Sequence, residues 1–344
     1  MVSTNRRHQV MIILDTNQLW ENRSLDTPAL TLLAAVAESR GHRLAVSAMV
    51  EDEYLARYGH EMTKLVDELK GKYADLQEMN PEWRGKLNVP LPWKRVGPQK
   101  KKLEDIFVII PTPQNAAYEA LLREAHRRRP ASTLWDKNKQ GSGARDVVVW
   151  LTALDQLSEN EVVYFVSRDV AAFGKGSLHP ELQAEADALA PGKLNFCSDI
   201  FALLDQLTSG PTDKRDAGNS WVQNQVVQEA VSKALLEAST EFDVFVSETR
   251  WPVVRGTFVP TAIRDLSSGI VDETRMYSLE QTIWASGNIE WNATADFECV
   301  LVNDPPSSEA RIGHIGFRVP TGLVVKLTDS GEVIQAQVKV KGRF

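Results

Sequence analysis

"MIILDTNQLW", residues 11–20, decides the fold. An apolar run with two adjacent isoleucines ends abruptly in an acid, a hydroxyl residue and an amide. Short apolar runs without alternation belong to strands buried on both faces of a parallel sheet. The run therefore reads as a strand over Val10–Leu14, with Asp15 at its carboxyl end.

The flanking chain alternates in the same sense. Pro28–Arg40 reads as a helix: Leu30, Leu33, Ala34 and Ala37 share a face, Asp26 and Thr27 are capping residues, and Gly41 follows the end. Leu44–Ser47 reads as a second strand. Ala48–Leu76 reads as a long amphipathic helix with Leu55, Met62, Leu65, Val66 and Leu69 near helical spacing. Ile106–Ile110 is a strand or the edge of a bend, and Gln114–Arg129 a helix. Asp146–Leu157 is a helix, Val162–Ser167 a strong strand, Pro180–Leu189 a helix, Leu194–Cys197 a strand and Asp199–Leu207 a last helix. Strands alternating with helices predict an α/β domain whose parallel sheet is covered on both faces.

The pattern changes after residue 207. "TSGPTDKRDAGNS", 208–220, is a linker by composition. Val222–Ala238 reads as a helix with Val222, Val226, Ala230, Ala234 and Ala238 on one stripe. Phe242–Val246, Ile289–Ala293, Phe297–Val302, Gly322–Leu327 and Val333–Val340 run at strand lengths, and "TDSGE", 328–332, suits a hairpin turn. The expected division is an α/β domain over 1–207, a linker over 208–220, and a helix plus a small, mainly antiparallel β domain over 221–344. Within the first domain, "PEWRGKLNVPLPWKRVGPQKKK", 81–102, is rich in proline, tryptophan and basic residues and reads as an inserted arm.

Composition narrows the function. A chain of 344 residues favours two cores over one. A net charge of −7 argues against a protein coated in positive charge but allows a local basic groove. Two cysteines, Cys197 and Cys299, make no disulfide framework, so a reducing, cytoplasmic setting is expected. No apolar run is long enough to span a bilayer. His42, His126 and His179 lack metal-ligand spacing and read as ordinary surface or boundary histidines.

Ligands of open α/β sheets sit beyond the carboxyl ends of the strands. Asp15 occupies such an end, and Asp169 follows the strand Val162–Ser167. Glu53 lies early in the helix after the second strand, and Asp146 starts a helix with an apolar opposite face. Four carboxylates converging at one edge repel one another and resist ionising. A divalent cation relieves that repulsion, and hard oxygen donors suit Mg²⁺ or Mn²⁺. Each acid alone has a plainer role as a cap, a turn residue or a solvated helix face. Only the joint placement makes the case.

Four segments carry a family resemblance: "IILDTN" at 12–17, "MVEDEYLARY" at 49–58, "GARDVVVWLTAL" at 143–154 and "VYFVSRDVAAF" at 163–173. In this order they resemble the acidic motifs of PIN-domain ribonucleases, in particular a branch of bacterial PIN-like proteins with a long middle region and a C-terminal extension. The resemblance covers roughly residues 10–207. It implies a Rossmann-like α/β/α fold, Mg²⁺ or Mn²⁺ as cofactor and cleavage of single-stranded or structured RNA. Motif matching makes Asp15, Glu53, Asp146 and Asp169 the catalytic metal-binding acids. Thr16 and Asn17 would orient the first loop, and Ser167 would support the last. Two departures stand out. Glu51 and Asp52 sit beside Glu53, which makes the second acid ambiguous, and "VAAF" follows Asp169 where many relatives carry another acid.

Basic residues gather near these motifs. Arg95, Lys100, Lys101 and Lys102 lie in the arm, Arg127, Arg128 and Arg129 end the predicted helix, and Lys137, Lys139 and Arg145 flank the loop before Asp146. Such groups bind phosphate backbones. Trp83, Trp93 and Trp135 lie close by and suit stacking on unpaired bases, whereas Trp251, Trp284 and Trp291 suit a core among the later strands. The leading expectation is a metal-dependent endoribonuclease with RNA as its partner. The β domain would regulate it, bind a protein partner or make a homo-oligomer. Two other readings compete: a non-catalytic PIN-like nucleic-acid-binding module, and a phosphatase of the haloacid dehalogenase type. The phosphatase needs a second acid two residues after the first, where this chain has Asn17.

Overall fold

In the computed structural model the strand β1, Val10–Leu14, is buried along almost its whole length, as its unbroken apolar run requires. The structure describes residues 10–80, 93–131, 143–208, 221–237, 256–279, 282–301 and 309–340. The chain forms two compact units: Met1–Leu25 with Leu33–Leu203, and Asp26–Leu32 with Leu204–Phe344. A boundary read along the chain does not anticipate that Asp26–Leu32 joins the second unit.

In the first unit, β1 is the centre of a five-stranded sheet. Its partners are β2 (Arg43–Ser47), β3 (Val108–Ile110), β4 (Val162–Val166) and β5 (Leu194–Cys197), in the order β3-β2-β1-β4-β5. Every pairing is parallel. The order reverses direction at β1, so β1 and β4 flank the switch point where ligands of such sheets bind. Leu14 pairs with Val166, which brings Asp15 and Ser167 out together at the same sheet edge.

Helices α2 (Pro28–Ser39), α3 (Ala48–Met79), α6 (Ala144–Asp155), α7 (Pro180–Leu189) and α8 (Ile200–Leu207) lie close to their expected spans. Two helices were not read from the sequence. The six-residue α1, Thr16–Glu21, follows β1 directly and is capped by Asp15. It is too short to show a period. The second, α4, spans Trp93–Ile106 despite Pro98 in its interior. The described part of the supposed arm is therefore helix, with Gln99 and Leu103 buried, and Ile106 ends it instead of starting a strand. Residues 81–92 lie outside the described residues.

The remaining differences have physical causes. Helix α5 covers only Ala116–Ala125. Arg127 takes φ 52°, and the Arg128 N–H donates to the Arg123 carbonyl at 2.9 Å, a left-handed termination that leaves Arg127–Arg129 beyond the helix. On α3 the buried residues are Val50, Glu51, Tyr54 and Val66, whereas Leu65 and Leu69 are exposed. A helix of this length runs about 48 Å, and the strands beside it only about 17 Å. Its distal half has no sheet beneath it.

The second unit holds an antiparallel sheet in the order β6-β7-β8-β9: Gly256–Leu279, Thr282–Leu301, Glu309–Thr328 and Val333–Val340. The expected strands Ile289–Ala293 and Phe297–Val302 fall, as far as Leu301, in the single strand β7. Strand β6 was not foreseen, because four register shifts against β7 break its alternation. The 328–332 turn joins β8 to β9, with Gly331 at φ 88°. Trp284 and Trp291 are buried, and the Trp291 indole donates to Thr321 at 2.9 Å. The supposed strand Phe242–Val246, the linker from 209 to 220 and Trp251 lie outside the described residues.

Helix α9, Gln225–Glu237, packs Val227, Val231 and Leu235 into the core of this sheet. The expected stripe is offset by one residue: Val226 is exposed. Both ladders have helical spacing, and the one with the larger side chains is buried, since apolar area drives the choice. Leu235→Ala should therefore destabilise this unit by about 2–5 kcal/mol, and Val226→Ala by less than about 0.5 kcal/mol. Urea unfolding of the two variants, followed by tryptophan fluorescence, measures the difference. Equal losses would restore the other stripe.

Candidate active site

Asp15 is only 6% exposed and uses both carboxylate oxygens. Oδ1 accepts from the Thr16 N–H at 2.7 Å, and Oδ2 accepts from the Asn17 amide at 2.8 Å and the Ser167 hydroxyl at 2.6 Å. Ser167 is fully buried and is the hub on the β4 side. Its oxygen also accepts from the Asn17 amide and the Asp169 N–H, each at 3.1 Å. The Asn17 carbonyl accepts from the Arg168 N–H at 3.1 Å, fixing the turn after β4. Thr16, Asn17 and Ser167 thus surround the Asp15 carboxylate.

The neighbouring segment of α3 settles which of its three acids faces this edge. Thr16 Oγ1 donates to Glu53 Oε2 at 2.9 Å. Glu51 is buried instead against Lys100 of α4, and Asp52 is exposed. The other Glu53 oxygen accepts from Arg145 at 2.6 Å. Asp146 lies in the first turn of α6, opened by Gly143 at φ 81°. A side chain at Gly143 would meet the Ala131 Cα at 3.0 Å and the Asp146 carboxylate at 3.2 Å. Glycine is required there by both backbone and space. Asp169 Oδ1 accepts from the Ala172 N–H at 2.8 Å, and the Asp169 carbonyl accepts from the Phe173 N–H at 2.8 Å. Phe173 stacks edge-on against Phe165 of β4, which anchors that turn.

The four carboxylates feel one another. Burial pushes the Asp15 carboxyl up to about 6, its hydrogen bonds from Ser167 and Thr16 pull the other way, and Glu53 and Asp169 add repulsion. Asp146 is pushed up to about 7, first by burial and then by Asp15, Asp169 and Glu53. Arg145 opposes this, and so does the amino end of α6, which favours an anion. Burial and three like charges outweigh both. Asp15, Glu53, Asp146 and Asp169 form one electrostatic cluster with a deficit of positive charge. Among the described residues, no three acidic, histidine or cysteine side chains are already gathered as a metal cage.

The basic residues divide. Lys100 pairs with Glu51 and Glu104, and Lys102 donates to the Ser24 carbonyl, so both are committed within the fold. Arg95 and Lys101 are exposed on α4. Arg128 is exposed, 3.8 Å from Glu119. Arg127 is half-buried. Arg129 donates to the Ala171 carbonyl at 2.6 Å, just past Asp169. Arg145 therefore borders the acids, and Arg129 reaches the turn that follows Asp169. Lys137 and Lys139, with Trp83 and Trp135, lie outside the described residues. Arg168, which sequence reasoning passed over, is paired with Glu21 and lies 3.8 Å from Asp199. Its only sequence signal is its place beside Asp169.

Residues 12–173 match the family model of the PIN domain. Over that span the chain is similar to PIN domains. The matched span holds all four clustered acids, and PIN domains are generally nucleases. No curated protein and no solved structure matches the chain.

The raised acids have a consequence for stability. Native Asp146 keeps its proton up to about pH 7, whereas an unfolded aspartate loses it near 3.8. Between those values the native state binds more protons, so its contribution is full below about pH 4 and is lost as pH rises through 7. In chelator, Asp146→Asn should be more stable than the wild type at pH 8, by roughly 1–3 kcal/mol allowing for partial exposure. The gap should narrow as pH falls toward 4. Urea titrations at several pH values test this; an Asn variant no more stable than the wild type at pH 8 would remove the repulsion.

Proposed function

We propose that this PIN-like domain is a metal-dependent endoribonuclease that hydrolyses RNA phosphodiester bonds. The observation that carries this reading is the cluster of four carboxylates at the switch point of the sheet, two of them pushed far above the usual aspartate range. A cation would relieve the mutual repulsion in such a cluster. Its hard oxygen donors suit Mg²⁺ or Mn²⁺, which take one or two carboxylates and complete their shells with water and phosphate oxygens. An incompletely gathered donor set fits that habit. Asp15, Glu53, Asp146 and Asp169 would hold the ion. When bound, it supplies Lewis-acid stabilisation of charge at phosphorus and eases the ionisation of water.

The protein's own part is placement. Thr16, Asn17 and Ser167 hold Asp15 in one orientation, and the Asp169 turn is pinned through Ser167 and Phe173. Arg145 beside the acids, and Arg129 on the turn after Asp169, would take phosphate oxygens, since a guanidinium matches them in bidentate fashion. Arg95, Lys101, Arg127 and Arg128 would extend the contact along the strand, as would Lys137 and Lys139, with Lys100 and Lys102 contributing mainly to the fold. In the reaction a water oxygen bonds to phosphorus, the bond to one ribose oxygen breaks, and that oxygen leaves with a proton. The C-terminal unit would regulate the nuclease, bind a protein partner or pair with a second copy, in a reducing cytoplasmic setting.

Asp15→Asn and Asp146→Asn keep side-chain size and remove one charged donor each. Either should lower Mg²⁺- or Mn²⁺-dependent cleavage by at least about a hundredfold. Each should also weaken Mn²⁺ binding seen by calorimetry, with circular dichroism unchanged. Full cleavage by either variant rejects the site. Metal binding and RNA binding without cleavage by the wild type would leave a binding module instead.

A further inference from the structure

A groove lies near the acid edge, beside α1 and α3. Thr16 and Trp20 lie one turn apart on α1, and Glu53 and Arg57 one turn apart on α3. The two helices meet twice in succession. Thr16 donates to Glu53, and one turn on the Arg57 guanidinium lies over the Trp20 ring, 4.0 Å from its centroid. Beyond this second contact a groove of about 360 Å³ opens, lined by Trp20, Arg23, Ser24, Tyr58, Glu61, Met62 and Leu65. Its walls are fixed. Tyr54 donates to the Arg23 carbonyl at 2.7 Å, Gln99 donates to the same carbonyl at 3.0 Å, and Tyr58 packs on Tyr54 at 6.3 Å between ring centroids.

We propose that this groove receives an unpaired nucleobase of the RNA strand whose backbone crosses the acid site. The proposal rests on the nuclease reading above. Three features favour this occupant. The groove lies close to the acids, past the Arg57–Trp20 contact: at about 1.5 Å per residue, Tyr58 lies about 8 Å and Glu61 about 12 Å along α3 from Glu53. That is one or two nucleotides along an extended strand. Its surface combines indole, phenol and apolar floor, which suit a flat π-face, with Arg23 and Arg57 beside them for the adjoining phosphate. An apolar peptide side chain would need neither arginine. Finally, the pinned walls need no reordering on binding, so little is lost in filling it. A base inside a duplex cannot enter, so the groove selects single-stranded or looped RNA over paired RNA.

The test uses the full chain with Ca²⁺ in place of the cleaving ion, and single-stranded oligoribonucleotides carrying 2-aminopurine at successive positions. Quenching should be confined to a position one or two nucleotides from the bond that Mn²⁺ later shows to be cleaved. Trp20→Leu should abolish that quenching and weaken single-strand binding about 5- to 100-fold, with duplex binding unchanged. Tyr58→Leu, on a different helix, should do the same more weakly and guards against misfolding of the first variant. Cleavage and affinity at wild-type levels in both folded variants would overturn the groove and leave the nuclease standing. A wild type that neither binds nor cleaves RNA would overturn both. Loss of a dimer in Trp20→Leu, by sedimentation, with RNA binding intact, would give the groove to a second copy and overturn the proposal.

Discussion

The carboxylate of Asp15 is the constraint around which the first unit is organised. An aspartate buried at a strand end is tolerable only if donors surround it. They come from both sides of the β1–β4 pair: Thr16 and Asn17 from β1's own continuation, Ser167 from the end of β4. The ladder itself reaches this far, since the Asp15 N–H donates to the Val166 carbonyl at 3.0 Å. Register and site are therefore one feature. A slip of one residue between β1 and β4 would turn Ser167 to the other face of the sheet and strand the carboxylate.

The next layer holds the turns that carry the remaining groups. Trp150 of α6, Phe165 of β4 and Phe173 form a buried aromatic cluster. The Trp150 indole donates to Glu185 of α7 at 2.8 Å, and Glu185 also takes the buried Arg123 of α5. Arg123 in turn donates to the Arg129 carbonyl at 3.1 Å, and Arg129 reaches the turn after Asp169. Removing one partner of a buried ion pair commonly costs about 3–5 kcal/mol. Arg123 is 3% exposed, so this network is a structural tie running from the helix layer to the rim of the site.

Much of this was legible in the sequence because parallel strands and their end residues are locally encoded. The run at 10–14 and the acid after it are adjacent in the chain, and so are Val162–Val166, Ser167 and Asp169. Motif matching names Glu53, but "VEDEY" by itself leaves the second acid ambiguous, because three consecutive acids differ only in helical phase. The choice depends on how α3 meets α1 and α4. The lysines of α4 were read as a substrate arm because proline and tryptophan nearby suggested irregular chain. Pro98 sits inside a helix instead, and burial of Glu51 demands a cation that Lys100 provides. Trp20 and Arg57 were invisible for the same reason as α1: their pairing exists only once two helices from distant sequence lie side by side. In the second unit the sheet was legible as a change of period, but strand lengths were not, since bulges interrupt alternation without ending a strand.

The site divides into a fixed half and an exchangeable half. Asp15 and Ser167 are buried, and every donor to them is short in reach and held by backbone. The Glu53–Arg145 pair differs. Arg145 is 64% exposed, and an ion pair so close to water contributes little, about 0–1 kcal/mol. Its guanidinium can leave Glu53 at small cost, whereas no rearrangement of comparable cost frees Asp15. A cation entering the cluster would meet the rigid carboxylate of Asp15 at the end of β1 and would have to displace the Arg145 guanidinium from Glu53 of α3. The arginine so released would stay tethered beside Asp146, where an anionic strand would need positive charge. On a chain of net charge −7, that local exchange, and not overall charge, would be what draws a polyanion to an acidic site.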